Sequence, residues 1–219
     1  MVKKENLAIF DLDGTLLDTI GDLAVACDYM LALRQLPSHT IEEYRAMVGN
    51  GIMRLVERAL PEELRTKEYV AEARRDFLAY YFDHIDIHTR PYEGVHTVLR
   101  TLQERGWRLA VASNKLEAGT KRLIANFFPD IHFTSVYGNR EGFPLKPDKA
   151  LLDIIIEECN STPAQCYMVG DSGVDMECAR NAGTHSVGCS WGFRSREELV
   201  ESGAEKIADT PLECLQILL

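Results

Sequence analysis

Two aspartates stand two residues apart in Asp11-Leu12-Asp13-Gly14-Thr15, directly after the apolar run Leu7-Ala8-Ile9-Phe10. An extended chain repeats its side-chain direction every two residues, so both carboxylates can point the same way from the end of one strand. Like charges this close need a metal ion, a shared proton or water. Other apolar runs end in further polar groups. Ser113-Asn114-Lys115 follows Val111-Ala112, Lys146-Pro147 follows the loop 138–143, and Gly170-Asp171-Ser172-Gly173-Val174-Asp175 follows Met168-Val169. Asp171 and Asp175 are four apart, near one face of the first turn of a helix expected to start around Ser172-Gly173. Aspartate oxygens without histidine or cysteine suit a hard cation, Mg2+ best. A hydroxyl, an ammonium and loop amides are what a phosphate needs. Together the residues read as a metal–phosphate site.

For these groups to meet, their strands must end on one edge of one sheet. Apolar runs at 7–10, 109–112, 134–137, 166–169 and 186–188 predict strands. Leu151, Leu152, Ile155, Ile156 and Cys159 follow helical spacing, with weaker helical signals over 118–127 and 174–182. Residues 162–165, 195–198 and 210–213 each fit a capping box. The alternation predicts an α/β fold: a Rossmann-like parallel sheet with helices on both faces, binding ligands where the strands end. One stretch breaks the rhythm. Ile20, Leu23, Ala24, Cys27 and Leu31 make one apolar helix face, and Thr40-Ile41-Glu42-Glu43 fits a capping box. Ile52, Leu55, Val56, Ala59 and Leu60 make a third stripe, and 68–82 reads as a fourth helix. Residues 17–88 are therefore expected to form an inserted α-helical cap domain, a four-helix bundle, on a catalytic core of residues 1–16 and 89–219. Both connections lie near the first aspartate motif, a natural place for a lid.

The 219 residues are 46% hydrophobic and 26% charged, enough apolar material for a real core. A net charge of -10 argues against nonspecific binding to nucleic acid or an anionic membrane, though a small anion can still enter a local site. The six cysteines are scattered with no C-x-x-C pair and read as reduced thiols. After Met1-Val2-Lys3-Lys4-Glu5, the apolar run that leads into Asp11 is only four residues long, too short for a signal-peptide core, and no run reaches membrane length. The expected location is cytoplasmic. The histidines have no metal-ligand spacing, and the sequence leaves monomer and homodimer both open.

The four motifs, Asp11-Leu12-Asp13-Gly14-Thr15, Ser113, Lys146-Pro147 and Gly170-Asp171 with Asp175, come in an order that resembles the haloacid dehalogenase superfamily of phosphatases over nearly the whole chain. The resemblance implies a Mg2+-dependent phosphatase acting on small phosphorylated metabolites. Asp11 is then the nucleophile that forms an aspartyl-phosphate, and Asp13 the acid and base. Asp11, the backbone carbonyl of Asp13, Asp171 and Asp175 are the implied metal ligands, Asp175 directly or through water. Ser113, Asn114 and Lys146 are the implied phosphate ligands. Val48-Gly49-Asn50-Gly51, Arg54, Glu57-Arg58-Ala59-Leu60, Ser113-Asn114-Lys115 and Trp191-Gly192-Phe193 are similar to the phosphoglycolate phosphatase branch. That makes Gly49, Asn50, Gly51, Arg54 and Lys115 candidate specificity residues, with Arg54 suited to a substrate carboxylate. Alternatives of the same kind are phosphatases of pyrophosphate, nucleotides or sugar phosphates, or a β-phosphoglucomutase-like phosphomutase. An alternative of another class is a catalytically idle regulatory protein on the same fold.

Overall fold

The computed structural model describes residues 6–219. In chain order the elements are β1 (Leu7–Phe10), β2 (Leu17–Asp18), α1 (Ile20–Ala32), α2 (Ile41–Met47), α3 (Ile52–Ala59), α4 (Lys67–Tyr81), β3 (Arg90–Pro91), α5 (Val95–Glu104) and β4 (Arg108–Leu116). They continue with α6 (Glu117–Phe127), β5 (Ser135–Asn139), α7 (Ala150–Glu158), β6 (Cys166–Gly170), α8 (Gly173–Ala182), β7 (His185–Cys189), α9 (Arg196–Glu201), β8 (Lys206–Ala208) and α10 (Pro211–Leu218).

Six strands form one parallel sheet in the order β5-β4-β1-β6-β7-β8. All four residues of β1 are buried. Leu7 and Ile9 join an apolar cluster with α7 and α8, whereas Ala8 and Phe10 join the cluster on the opposite face. A strand covered on both faces has no solvent side, so its sequence is a continuous apolar run. The expected α/β sheet with helices on both faces is present.

Between β2 and β3 the chain makes four α-helices and a short 3-10 turn at Glu62–Leu64. α1 packs on α2 and α4, and α3 packs on the same two helices. The capping box at Thr40 forms in full: its hydroxyl takes the Glu43 N–H, and the Glu43 carboxylate takes the Thr40 N–H at 2.7 Å. The helical segment is stapled where it begins and ends. Asp22, buried on α1, accepts the N–H of His88 (2.8 Å), the N–H of Thr89 (2.9 Å) and the Thr89 hydroxyl (2.7 Å). Beside this staple, β2 and β3 pair antiparallel, Leu17 with Pro91 and Asp18 with Arg90.

Three local expectations change. The capping box expected at Thr162 does not open a helix: residues 163–165 make one 3-10 turn, and the Thr162 hydroxyl bonds the Gln165 side chain instead. At Thr210 the hydroxyl accepts the Glu213 N–H, but the Glu213 carboxylate takes the N–H of Asp209 rather than that of the cap residue. β4 does not stop at Ala112 but runs through Ser113 to Leu116, with a register irregularity against β5 between Ala112 and Leu116.

Candidate active site

Strand order explains why the motifs converge. β1 lies between β4 and β6, with Phe10 opposite Val111 on one side and Val169 on the other. Asp11, Ser113 and Asp171 therefore leave the same edge of the sheet as neighbours, where ligands bind in open parallel sheets. Asp11 is anchored by its N–H to the Val169 carbonyl at 2.9 Å.

Lys146 stands at the centre. Its side chain is 2% exposed, and its ammonium reaches Asp175 Oδ1 at 2.6 Å, the Ala112 carbonyl at 2.7 Å and Asp11 Oδ1 at 3.0 Å. Burial works against its charge, but Asp11 and Asp175 more than offset this and hold its pKa above the usual lysine range. Asn114 fixes the approach of this lysine: its Oδ1 accepts the Lys146 N–H (2.9 Å), and its Nδ2 donates to the carbonyls of Lys146 (3.1 Å) and Gly49 (3.2 Å).

Asp11, Asp171 and Asp175 each offer an oxygen within 4.8 Å of the others. Burial pushes the Asp11 carboxyl up to about 6; the charges of Asp175 and Asp13 push the same way, against Lys146. Asp171 is raised well above the carboxylate range by burial, then by Asp11 and Asp175. Three crowded carboxylates facing one lysine leave negative charge over, which is the electrostatic demand a bound cation answers. Asp171 is held by the Phe193 N–H at 2.7 Å and the Thr15 hydroxyl at 3.4 Å. Asp175 closes a capping box on Ser172, taking its N–H (3.2 Å) and hydroxyl (2.6 Å) through Oδ2. Asp175 is thus both the first-turn acid of α8 and the partner of Lys146.

Asp13 turns away from this cluster. Both its oxygens meet the Lys115 ammonium, at 2.9 and 3.2 Å, and Lys115 lies 5.0 Å from the centre of the Tyr81 ring on α4. Burial opposes the charge of Lys115, but Asp13 and Tyr81 raise its pKa above the usual range. The Ser113 hydroxyl accepts the Lys115 N–H at 3.2 Å.

These groups line a cavity of about 550 Å³, counting the solvent in its mouth. Its walls include Asp11, Asp13, Ser113, Asn114, Lys115 and Asp171 from the sheet side, and Gly49 and Gly51 from the helical side. Both glycines have positive φ (119° and 80°), a conformation that a side chain resists. Lys146 and Asp175 lie behind this wall, paired with each other and, through Lys146, with Asp11, and two candidates from the helical side stay outside. Arg54 has a side chain 62% exposed and pairs with Glu57, and the Asn50 side chain accepts from Arg58 at 2.8 Å. Sequence reasoning missed Arg194, which lines the cavity, and the Phe193 N–H on Asp171. The quoted run Trp191-Gly192-Phe193 was the signal beside them; Trp191 itself donates to the Thr15 carbonyl at 3.1 Å.

A parallel α/β sheet presenting aspartates, a buried lysine and a serine at one edge defines a hydrolase-type site for anionic substrates. Residues 8–189 match the haloacid dehalogenase-like hydrolases, and the chain belongs to that family. It is 32% identical to a phosphoglycolate phosphatase of Vibrio cholerae serotype O1, over 100% of this chain and 99% of that protein. It is 34% identical to a phosphoglycolate phosphatase of Pseudomonas syringae pv. tomato, over 94% of this chain and 77% of that one. A crystal structure from Lactobacillus delbrueckii subsp. bulgaricus, provisionally named a phosphoglycolate phosphatase, superposes with a TM-score of 0.93 at 30% identity, covering 99% of both chains. Among the described residues no helix is long and apolar enough to cross a membrane, and all six cysteines are free and buried.

Proposed function

We propose that this protein is a phosphatase of small phosphomonoesters, with phosphoglycolate its preferred substrate. The observation that carries the reading is Asp11, which lines the cavity with Asp171, lies 3.0 Å from the Lys146 ammonium and clusters with Asp171 and Asp175. Uncatalysed phosphate monoester hydrolysis is so slow that enzymatic enhancements reach about 10²¹. A carboxylate attacks such a dianion only if nearby positive charge offsets the repulsion.

In this reading Asp11 attacks phosphorus and the ester oxygen leaves as an alkoxide, protonated by Asp13. Water then attacks the aspartyl-phosphate, Asp13 takes its proton, and inorganic phosphate leaves with Asp11 regenerated. Lys146 offsets the charge of nucleophile and phosphate together. The Ser113 hydroxyl and the Asn114 main chain orient the phosphoryl oxygens, and the Asn114 side chain keeps Lys146 in place. The all-oxygen donor set of Asp11, Asp171, Asp175 and the Asp13 carbonyl fits Mg2+, Asp175 directly or through water. When bound, Mg2+ supplies charge neutralisation and alignment of the phosphoryl group. Residues 17–88 act as a cap over the core of residues 1–16 and 89–219, excluding water while the covalent bond forms. Phosphoglycolate is favoured by the names of the relatives and by the small lip of Gly49 and Gly51.

Asp11→Asn is expected to abolish Mg2+-dependent phosphate release from phosphoglycolate while circular dichroism shows an intact fold. Retained turnover in that variant sinks the mechanism. Ranking kcat/KM over phosphoglycolate, pyrophosphate, nucleotides and sugar phosphates tests the substrate, with phosphoglycolate expected first.

A further inference from the structure

The loop after β7 holds two distant parts of the molecule at once. The Phe193 N–H donates to Asp171 at 2.7 Å, and the next residue, Arg194, reaches across to the end of α2. Arg194 Nη1 donates to the Arg45 carbonyl at 2.6 Å; Nη2 donates to the carbonyls of Ala46, at 3.4 Å, and Val48. Its Nε lies 3.5 Å from Glu198, and the side chain is 15% exposed.

The last carbonyls of a helix lack intrahelical donors, and the dipole there favours a cation. α2 meets that need in pieces. The Tyr44 carbonyl takes the Val48 N–H, and the Met47 carbonyl takes Arg58 of α3 at 2.7 Å. The carbonyls of Arg45, Ala46 and Val48 take Arg194, and the next one, Gly49, takes Asn114 at 3.2 Å. The lip of the cavity, residues 48–51, is therefore held by side chains from the sheet half of the molecule.

We infer that Arg194 is a positioning residue for substrate selection. It fixes the lip at 48–51 over the cavity and, through Phe193, ties that lip to Asp171, so that compact phosphoesters are turned over in preference to bulky ones. The inference rests on the phosphatase reading above and deepens it. Arg194 acts through the lip rather than by pairing with the substrate, because both its terminal nitrogens already donate to main-chain carbonyls and its Nε faces Glu198.

The test compares Mg2+-loaded wild type with Mg2+-loaded Arg194→Ala on three substrates: phosphoglycolate, ethyl phosphate (equally small, without the carboxylate) and p-nitrophenyl phosphate. Arg194→Gln, which keeps a polar stem, stands in if the alanine variant does not fold. For both small substrates kcat/KM is expected to fall at least tenfold relative to that for p-nitrophenyl phosphate, mainly through KM. Hydrogen exchange at the amides of residues 49–51 is expected to quicken in the variant without any substrate. That arm judges the lip even if the wild type hydrolyses none of the three esters, a result that fails the phosphatase reading instead. An unchanged ratio, unchanged exchange at the lip, or a loss confined to phosphoglycolate overturns the inference; the last outcome makes Arg194 a direct carboxylate ligand.

Discussion

At the scale of single residues, the site is organised by an imbalance of charge. Lys146 serves Asp11 and Asp175 together, while Lys115 serves Asp13 separately. The two aspartates of the first motif thus receive different cations from different strands and loops, although their spacing alone treats them alike. The raised Asp11 pKa has a consequence for stability in metal-free protein. Its folded value, about 6, lies above the ordinary value of 3.8, so the folded state holds the proton more tightly. The stability this gives is complete below about pH 4 and is lost as pH rises through 6. Asp11→Asn has no such loss. Without divalent cation, the melting temperature of the variant relative to wild type is therefore expected to rise between pH 4 and pH 6.5. A difference that stays flat over that range contradicts the assigned environment of Asp11. The sequence made these acids and Lys146 legible because side-chain type decides their chemistry. Arg194 was not legible, because its partners are main-chain carbonyls about 146 to 149 residues away, which demand no particular residue type. Arg54 shows the opposite case. Ile52, Leu55, Val56 and Ala59 are the buried face of α3, so helical spacing already turns residue 54 outward.

At the scale of elements, the parallel strands were legible because buried strands need unbroken apolar runs. β2 and β3 were not, because two residues carry no periodicity, and β8 was hidden by its short length at the sheet edge. The helix starts at Thr40 and Thr210 were readable from their hydroxyls, whereas Thr162 has the same letters and forms only a 3-10 turn before β6. The turn after β7 is built around the absence of a side chain. A Cβ at Gly192 falls on Asp171 Cβ and on the carbonyl oxygen of Gly14, so any larger residue drives apart two segments of the site. Gly192→Ala is expected to displace Asp171 and weaken Mg2+ affinity by about 10- to 100-fold. Calorimetric titration with Mg2+ measures it, and unchanged affinity removes Asp171 from the proposed ligand set.

At the scale of the whole molecule, Asp22 decides how the helical segment is attached. Its three hydrogen bonds join the start of α1 to the chain just before β3, and Asp22→Ala leaves the buried Thr89 N–H without a partner, while the Thr89 hydroxyl keeps the Ile85 carbonyl at 3.1 Å. The expected cost is about 2–4 kcal/mol, read as a lower urea midpoint, and an unchanged midpoint argues that the staple adds nothing to stability. The β2–β3 pairing beside it has a further consequence, in chain entropy. Leu17 and Pro91 are neighbours, so the sheet half meets the intervening helices as a closed loop whose ends are already fixed. Closing a loop costs only about 0.6 kcal/mol more for each doubling of its length. The chain between these two short strands can therefore lengthen at little cost in entropy, while the strands that lead into Asp11 and Asp171 keep their register.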